Sequence, residues 1–284
     1  IPPYHPDLPE IRADWASYHQ IITRMDQQVG EILDQLEKDQ LADDTIVFYY
    51  SDHGGILTRS KRFLYDTGVH VPLIVRFGKN FAHLAPQAPG TRTDRLVSTV
   101  DFAPTLLSLA GITIPDQMQG RAFLGPQTAQ SRDYVYSLRG RMDERNDFSR
   151  SVRDKRYKYV RNYNPHRIYG QHLQYLWKMA TTRAWEAAYQ AGQCQGPERF
   201  FWEPKRVEEL YDVQNDPWEV RNLARDPQFA EVLKRMQAAN REHLLAIHDS
   251  GFIPEGEMVR QAEGSSIHEL VRDPKRYPLE RILP

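Results

Sequence analysis

Thr45-Ile46-Val47-Phe48-Tyr49-Tyr50-Ser51-Asp52-His53-Gly54-Gly55 is a β-branched and aromatic run that empties directly into an aspartate, a histidine and two glycines. Residues 45–50 predict a buried strand, because such side chains fit a packed, pleated surface. The end of the run sets a carboxylate beside an imidazole at the carboxyl edge of a sheet, where open α/β sheets bind ligands, and the glycines let the backbone turn tightly there. Asp52 and His53 are therefore candidate metal ligands: a carboxylate suits hard cations, and an imidazole widens the choice toward Mg, Mn or Zn. The competing expectation is a capping aspartate next to an ordinary histidine. Lys61 follows in the same loop, and its compact ammonium suits neutralising a tetrahedral oxyanion beside a cation. Arg59 and Arg62 flank it, and spacing does not decide which of the three points inward.

Outward from this stretch, Val71-Pro72-Leu73-Ile74-Val75-Arg76-Phe77, bounded by Gly68 and Gly78, predicts a second buried strand. Upstream, the proline-punctuated residues 1–10 read as an extended arm. Trp15, Tyr18, Ile21, Ile22, Met25, Val29, Ile32, Leu33 and Leu36 then recur at three- and four-residue steps, which predicts a helix of about seven turns. Downstream, Leu96 to Gly111 predicts a short strand and a helix starting near Asp101, whose carboxylate can cap it. The order is α/β, and it reads as the latter part of a larger, mainly parallel or mixed sheet. A Gly/Pro/Gln/Ser-rich stretch at 125–132 divides residues 1–125 from 126–284. Beyond it, residues 134–138, 151–153 and 157–160 predict antiparallel strands around a turn at Asp154-Lys155. Residues 172–192 are helix-compatible, the ELYD segment gives another short strand, 227–247 predicts a final amphipathic helix, and the tail after 250 reads as extended.

Bulk numbers narrow the functional classes. The 284 residues can bury a real core; 40% are hydrophobic and 26% charged, and no apolar run approaches the roughly 20 residues of a membrane span. A formal net charge of -1 argues against a nucleic-acid binder that works by neutralising phosphates. Cys194 is the only cysteine, which leaves no internal disulfide and no cysteine metal cage. The chain begins at Ile1 rather than Met, from which processing or truncation is expected.

The run SDHGGILTRSKRFLYDTGVHVPLIVRF, with VDFAPTLLSLAGI and MQGRAFLG downstream, resembles the later half of the catalytic domain of type I sulfatases in the alkaline phosphatase superfamily. PPYHPDLPEIRADWASYHQIITRMDQQVG, ELYDVQNDPWEVRNLARDPQF and IHDSGFIPEG resemble the N-sulfoglucosamine sulfohydrolase (heparan N-sulfatase) branch. The resemblance implies an alkaline-phosphatase-like sandwich followed by a small antiparallel-sheet subdomain with a C-terminal helix. It implies that Asp52 and His53 hold one divalent cation, calcium first and Mg or Mn as alternatives, and that Lys61 contacts the sulfate. Many members carry Asn where His53 stands, and nitrogen is a poorer calcium ligand than an amide oxygen. The family's formylglycine, made from the cysteine of a C-x-P/A-x-R motif, belongs to its first half; Cys194, in GQCQGP, lacks that motif.

On this resemblance the chain is the last three fifths of a hydrolase of sulfate esters or N-sulfate groups on sulfated saccharides, inactive by itself. Arg139, Arg141, Asp143 and Glu144, just past a predicted strand at the subdomain junction, are candidates for contact with an anionic sugar. His70 is expected to be structural, and Tyr157 and Tyr159 to pack in the small sheet. Two alternatives stand beside this: a phosphodiesterase or phosphonate monoester hydrolase of the same superfamily, and a non-catalytic scaffold or split subunit that pairs with a separate N-terminal half or with itself. Periplasmic, secreted or lysosomal localisation follows only by analogy.

Overall fold

The computed structural model describes residues 1–283. The N-terminal arm is irregular, as its prolines require, but it is not loose: Tyr4 and His5 are buried in an aromatic core with Phe63, Tyr65, Trp185 and Phe201. Helix α1 (Pro9–Lys38) starts with Pro9 at its first position, where the missing N–H costs nothing. Tyr18, Met25, Val29, Leu33 and Leu36 of its apolar stripe are half-buried, whereas Ile21, Ile22 and Ile32 face solvent.

Strands β1 (Ile46–Tyr50) and β2 (Leu73–Phe77) form a two-stranded sheet with Ile46 opposite Phe77 and Tyr50 opposite Leu73. The α/β class stands, and the pairing expected as mainly parallel or mixed is antiparallel in both sheets of the described residues. The cause is the β1–β2 connection, which folds back through a loop and the short helix α2 (Asp66–Val69) instead of crossing over on a long helix. The strand expected near Leu96 is not formed; that segment finds no ladder partner among the described residues and leads into a 3₁₀ turn at Thr99–Asp101 and helix α3 (Phe102–Leu109). Asp101 does close a helix start. Its carboxylate accepts from the Ser98 and Arg121 N–H groups, at 3.0 and 2.7 Å, and pairs with Arg132.

The second sheet has the order β3 (Val135–Arg139), β4 (Ser149–Arg153), β5 (Tyr157–Asn162) and β6 (Glu208–Asp212), antiparallel throughout. Its two faces differ in chemistry. Val152, Tyr159 and Leu210 pack on Met236 and Ala239 of helix α5 (Ala230–Ala246), which accounts for Tyr159 as a core residue. The period-2 alternation turns Ser151, Lys158, Asn162 and Glu209 to the opposite face, where they are also buried. Helix α4 (Ala180–Gln190) is shorter than the 172–192 span that composition allows, because Leu176–Lys178 forms a separate 3₁₀ turn.

The tail after 250 is not extended. It holds α6 (Glu255–Gln261), α7 (Ile267–Arg272) and α8 (Leu279–Ile282), whose Met258, Leu270, Val271 and Leu279 form a satellite core with Leu244 and Ile253. Burial of those side chains stabilises helices too short to stand alone.

Candidate functional site

The loop between β1 and α2 is fixed by backbone contacts more than by side chains. Gly54 N donates to Gly68 O at 2.9 Å and Lys61 N to Gly55 O at 2.9 Å. A Cβ at Gly54 would run into the Thr67 carbonyl, and one at Gly68 into the carbonyls of Ser60 and Phe63, so both positions require glycine for close approach. Arg59 and Arg62 have φ of 72° and 82°, a left-handed conformation that side chains other than glycine adopt at a cost of about 1 kcal/mol. These two turns sort the three basic residues. The Arg59 guanidinium is buried between the rings of Tyr4 and Tyr65, 4.2 and 3.6 Å from their centres, and donates to the Trp218 and Glu219 carbonyls. Lys61 and Arg62 turn the other way and lie over the Tyr175 ring, at 5.5 and 4.6 Å.

Beneath the loop, the polar face of the second sheet grips it. Lys158 Nζ stands 2.5 Å from Asp66 Oδ1 and 2.9 Å from Glu219 Oε1, the latter without hydrogen-bond alignment, and donates to Leu64 O at 3.0 Å. Glu219 Oε2 accepts from the Asp66 N–H. Burial acts to raise the Asp66 carboxyl, but the neighbouring His70 and the charges of Lys158 and Arg153 overcome it and hold that carboxyl well below the usual carboxylate range. Burial pushes the Glu219 carboxyl up, against the pull of Lys158. Nearby, Glu209 accepts from the hydroxyls of Tyr65, Tyr169 and Tyr211 and from Asn162 Nδ2, at 2.7–3.1 Å. Burial and that carboxylate both raise the tyrosines, so each stays protonated and donating. His70, 3.6 Å from Asp66, belongs to this supporting layer.

Asp52, His53 and Lys61 line one groove of about 2340 Å³, together with Arg62, Arg139 and Asp143. His53 Nδ1 is 2.7 Å from the Gly54 carbonyl oxygen; that oxygen can only accept, so Nδ1 carries the proton. In the neutral ring Nε2 is then a bare lone pair, and it faces Asp52 Oδ2 at 3.4 Å. With the Asp52 side chain largely in solvent, these two atoms are candidate donors to a cation, and the same approach suits an ion pair with a doubly protonated ring. They are two donors, and no group of three His, Cys, Asp or Glu that could hold a metal ion occurs among the described residues. A hard cation of six to eight ligands would need further donors beyond this pair.

The other sequence candidates divide. Arg139 is buried against Asp147 at 3.3 Å, and Asp143 pairs with Arg62 at 3.1 Å, both on the groove wall. Arg141 is spent on the Ile253 carbonyl at 2.7 Å and Glu144 on the Gln174 N–H at 3.1 Å. Cys194 is buried in the aromatic core, where desolvation raises its thiol. Spacing gave no hint of Tyr175, which comes from a distant segment, nor did it single out Arg62 over its neighbours.

Residues 3–112 match the family model described as Sulfatase. An ulvan-active sulfatase of Formosa agariphila is 38% identical over 277 residues, 97% of this chain and 46% of that protein. The chain belongs to the type I sulfatase family. Human N-sulphoglucosamine sulphohydrolase is 29% identical over 254 residues, covering 84% of this chain and 49% of that enzyme, so the expected likeness to this sulfatase is present and the ulvan-active one exceeds it. The solved structure of a 2-O GAG sulfatase superposes with a TM-score of 0.61 at 25% identity, over 84% of this chain and 44% of that one. A phosphonate monoester hydrolase of Agrobacterium radiobacter superposes at 0.54 and 22% identity, so the fold by itself does not separate sulfatase from phosphonate chemistry. The chain spans about half the length of the curated relatives it matches.

Proposed function

We propose that this chain serves a hydrolase of sulfate esters or N-sulfate groups on saccharides, in which residues 1–125 carry the cation and sulfate contacts and 126–284 complete the groove wall. The observation that carries this is that Asp52, His53 and Lys61 sit on one loop, tied by the Gly54–Gly68 and Lys61–Gly55 backbone hydrogen bonds, and open into the same wide groove. The relatives, an ulvan-active sulfatase and an N-sulphoglucosamine sulphohydrolase, support a sulfated saccharide as substrate. A divalent cation, calcium before Mg or Mn, would be held by a carboxylate oxygen of Asp52 and by His53 Nε2, and would supply Lewis-acid polarisation of a sulfo oxygen. Asp52 and His53 bind and orient that charge; the Gly54 carbonyl keeps the imidazole in the tautomer that leaves Nε2 free. Lys61, with Tyr175 beneath it, brings a fixed positive charge to the sulfo oxygens. The nucleophile, a formylglycine by family analogy, would come from outside these residues.

Assaying the intact enzyme on aryl sulfate, sulfamate and phosphate diester substrates, with and without a chelator, tests the proposal. Sulfate or sulfamate turnover lost on chelation is expected, and Lys61→Met should cut kcat/KM by about 10²–10³, the usual loss on removing one charge-stabilising donor. A strong preference for the diester would overturn it.

A further inference from the structure

Both flanks of Lys61 are held by one two-residue turn, Trp218-Glu219, whose contacts lie 153–160 positions further along the chain. Ahead of Lys61, the Arg59 guanidinium donates from Nη1 to the Trp218 carbonyl at 3.1 Å and from Nη2 to the Glu219 carbonyl at 2.8 Å. Behind it, the Asp66 N–H donates to Glu219 Oε2. Arg59 is buried between the Tyr4 and Tyr65 rings, and its two acceptors are neutral carbonyls. Burying a cation is costly, and an apolar side chain would fill a slot between two rings at no such cost. What the guanidinium adds is a two-pronged, directional link to the backbone of the turn. The turn is itself fixed: the Glu219 N–H donates to Asp216 O at 3.0 Å, and the Val220 and Arg221 N–H groups donate to Asp216 Oδ2 at 2.9 and 2.8 Å. Residues 57–60 and 63–65 are buried, so the chain leaves the core only at Lys61 and Arg62 before it returns. The Lys61 ammonium stands 5.5 Å from the Tyr175 ring centre, a loose contact that leaves its place to be set by its backbone.

We propose that Arg59 and Glu219 are positioning residues, which lock the two flanks of Lys61 to the Trp218-Glu219 turn and so set where the Lys61 charge enters the groove. The proposal rests on the reading of Lys61 as the charge presented to the sulfo group, and extends that machinery to two side chains that touch no substrate. Glu219 serves both flanks, its carbonyl holding Arg59 and its carboxylate holding Asp66. Lys158 of β5, beside that carboxylate, ties the turn and the loop to the second sheet.

Hydrogen exchange read by mass spectrometry, and steady-state kinetics, both on the intact enzyme, provide the test. Arg59→Met keeps a side chain between the two rings but has no donor for the carbonyls. The peptide that carries residues 54–62 should then exchange about tenfold faster, with β4 and β5 unchanged. Met236→Ala, which opens a cavity between α5 and the second sheet, should speed β4 and β5 instead and marks what general destabilisation looks like. A cycle with Lys61→Met separates positioning from support of the fold. Acting through Lys61, Arg59→Met should lower kcat/KM about tenfold when Lys61 is present and cost nothing further in Lys61→Met, whereas a residue that only supports the fold costs the same in both backgrounds. Glu219→Gly repeats the test at the other flank with less risk to folding, since φ of 51° suits glycine and Lys158 keeps Asp66 as its partner. The cycle is read on whichever of the aryl sulfate, sulfamate or phosphate diester substrates is turned over, so a preference for the diester would overturn the sulfatase reading and leave the positioning role standing. Faster exchange confined to the loop, with non-additive kinetics, supports the proposal. Additive losses, or unchanged exchange of the 54–62 peptide in both variants, would overturn it.

Discussion

His5 has no room for a second proton. Trp15 Nε1 donates to its Nδ1 at 3.1 Å, and its Nε2 lies 3.1 Å from the Thr58 carbonyl, so the neutral ring with hydrogen on Nε2 satisfies both. Burial, aided by the nearby Arg59 charge, brings its pKa down to about 3. In the unfolded chain the same imidazole titrates near 6.5. Stability from this group is thus complete above pH 6.5 and is lost as pH falls toward 3, because only the unfolded state then takes up the proton. The limit for one such group is about 1.4 kcal/mol per pH unit. His243, also lowered by burial, slopes the same way. Urea unfolding at intervals from pH 6.5 to 5, above the range where carboxylates titrate, should show falling stability. His5→Gln, whose amide can make both hydrogen bonds, should flatten that limb; an unchanged slope would show that His5 is not the group responsible. The sequence marks Asp52, His53 and Lys61 because strand, glycines and charge fall within one short stretch. It cannot mark His5 or Arg62, since their roles depend on partners at Trp15, Thr58 and Asp143 that only the fold brings near.

The loop from β1 to α2 is the element on which the site depends, and its weak point is a glycine rather than a ligand. Gly68 accepts the Gly54 N–H and has the Ser60 and Phe63 carbonyls packed against its Cα, so Gly68→Ala must push the loop off α2. Asp52 and His53 move with Gly54. Divalent-cation affinity, followed by calorimetry on the protein, should fall at least about tenfold, or about 1.4 kcal/mol, with a lower unfolding temperature. Retained affinity with a normal melt would mean that the loop is positioned by something other than these backbone contacts. Elements that carry a full pattern are legible: β1, β2, α1, α5 and the small sheet follow from alternation or from three- and four-residue steps. Antiparallel pairing of β1 with β2 is not, because period 2 reports which faces are buried and says nothing of direction. The tail helices escape for another reason. Seven-, six- and four-residue helices show too little of a 3.6-residue period, and they owe their stability to Leu244 and Ile253 beneath them. One local signal was readable there: Ser266-x-x-Glu269 is a capping box, with Ser266 Oγ and the Glu269 carboxylate each satisfying the other's N–H.

At the scale of the molecule the two sheets are covered unequally. The second is buried on both faces, by α5 on one and by the loop and aromatic core on the other. The first has only two strands, so each strand keeps an edge that no described residue pairs. Tyr50 and Ile74 on it are exposed, as are Ile21 and Ile32 on α1 and Leu106 on α3. Unpaired strand edges flanked by exposed apolar side chains are sites of association. The 284-residue chain produced alone should therefore elute above its monomer mass in light-scattering chromatography, increasingly so with concentration. Ile32→Glu and Ile74→Lys place charge at two of these exposed positions, one on α1 and one on the β2 edge strand, without disturbing the aromatic core, and the pair should shift the population toward monomer. A monodisperse monomer of the unmodified chain at concentrations of tens of micromolar would show that these exposed side chains and strand edges do not attract a partner. Persistence of the oligomer in the double variant would instead place the association surface elsewhere, with the open groove of Lys61 and Arg62 as the remaining large concave face.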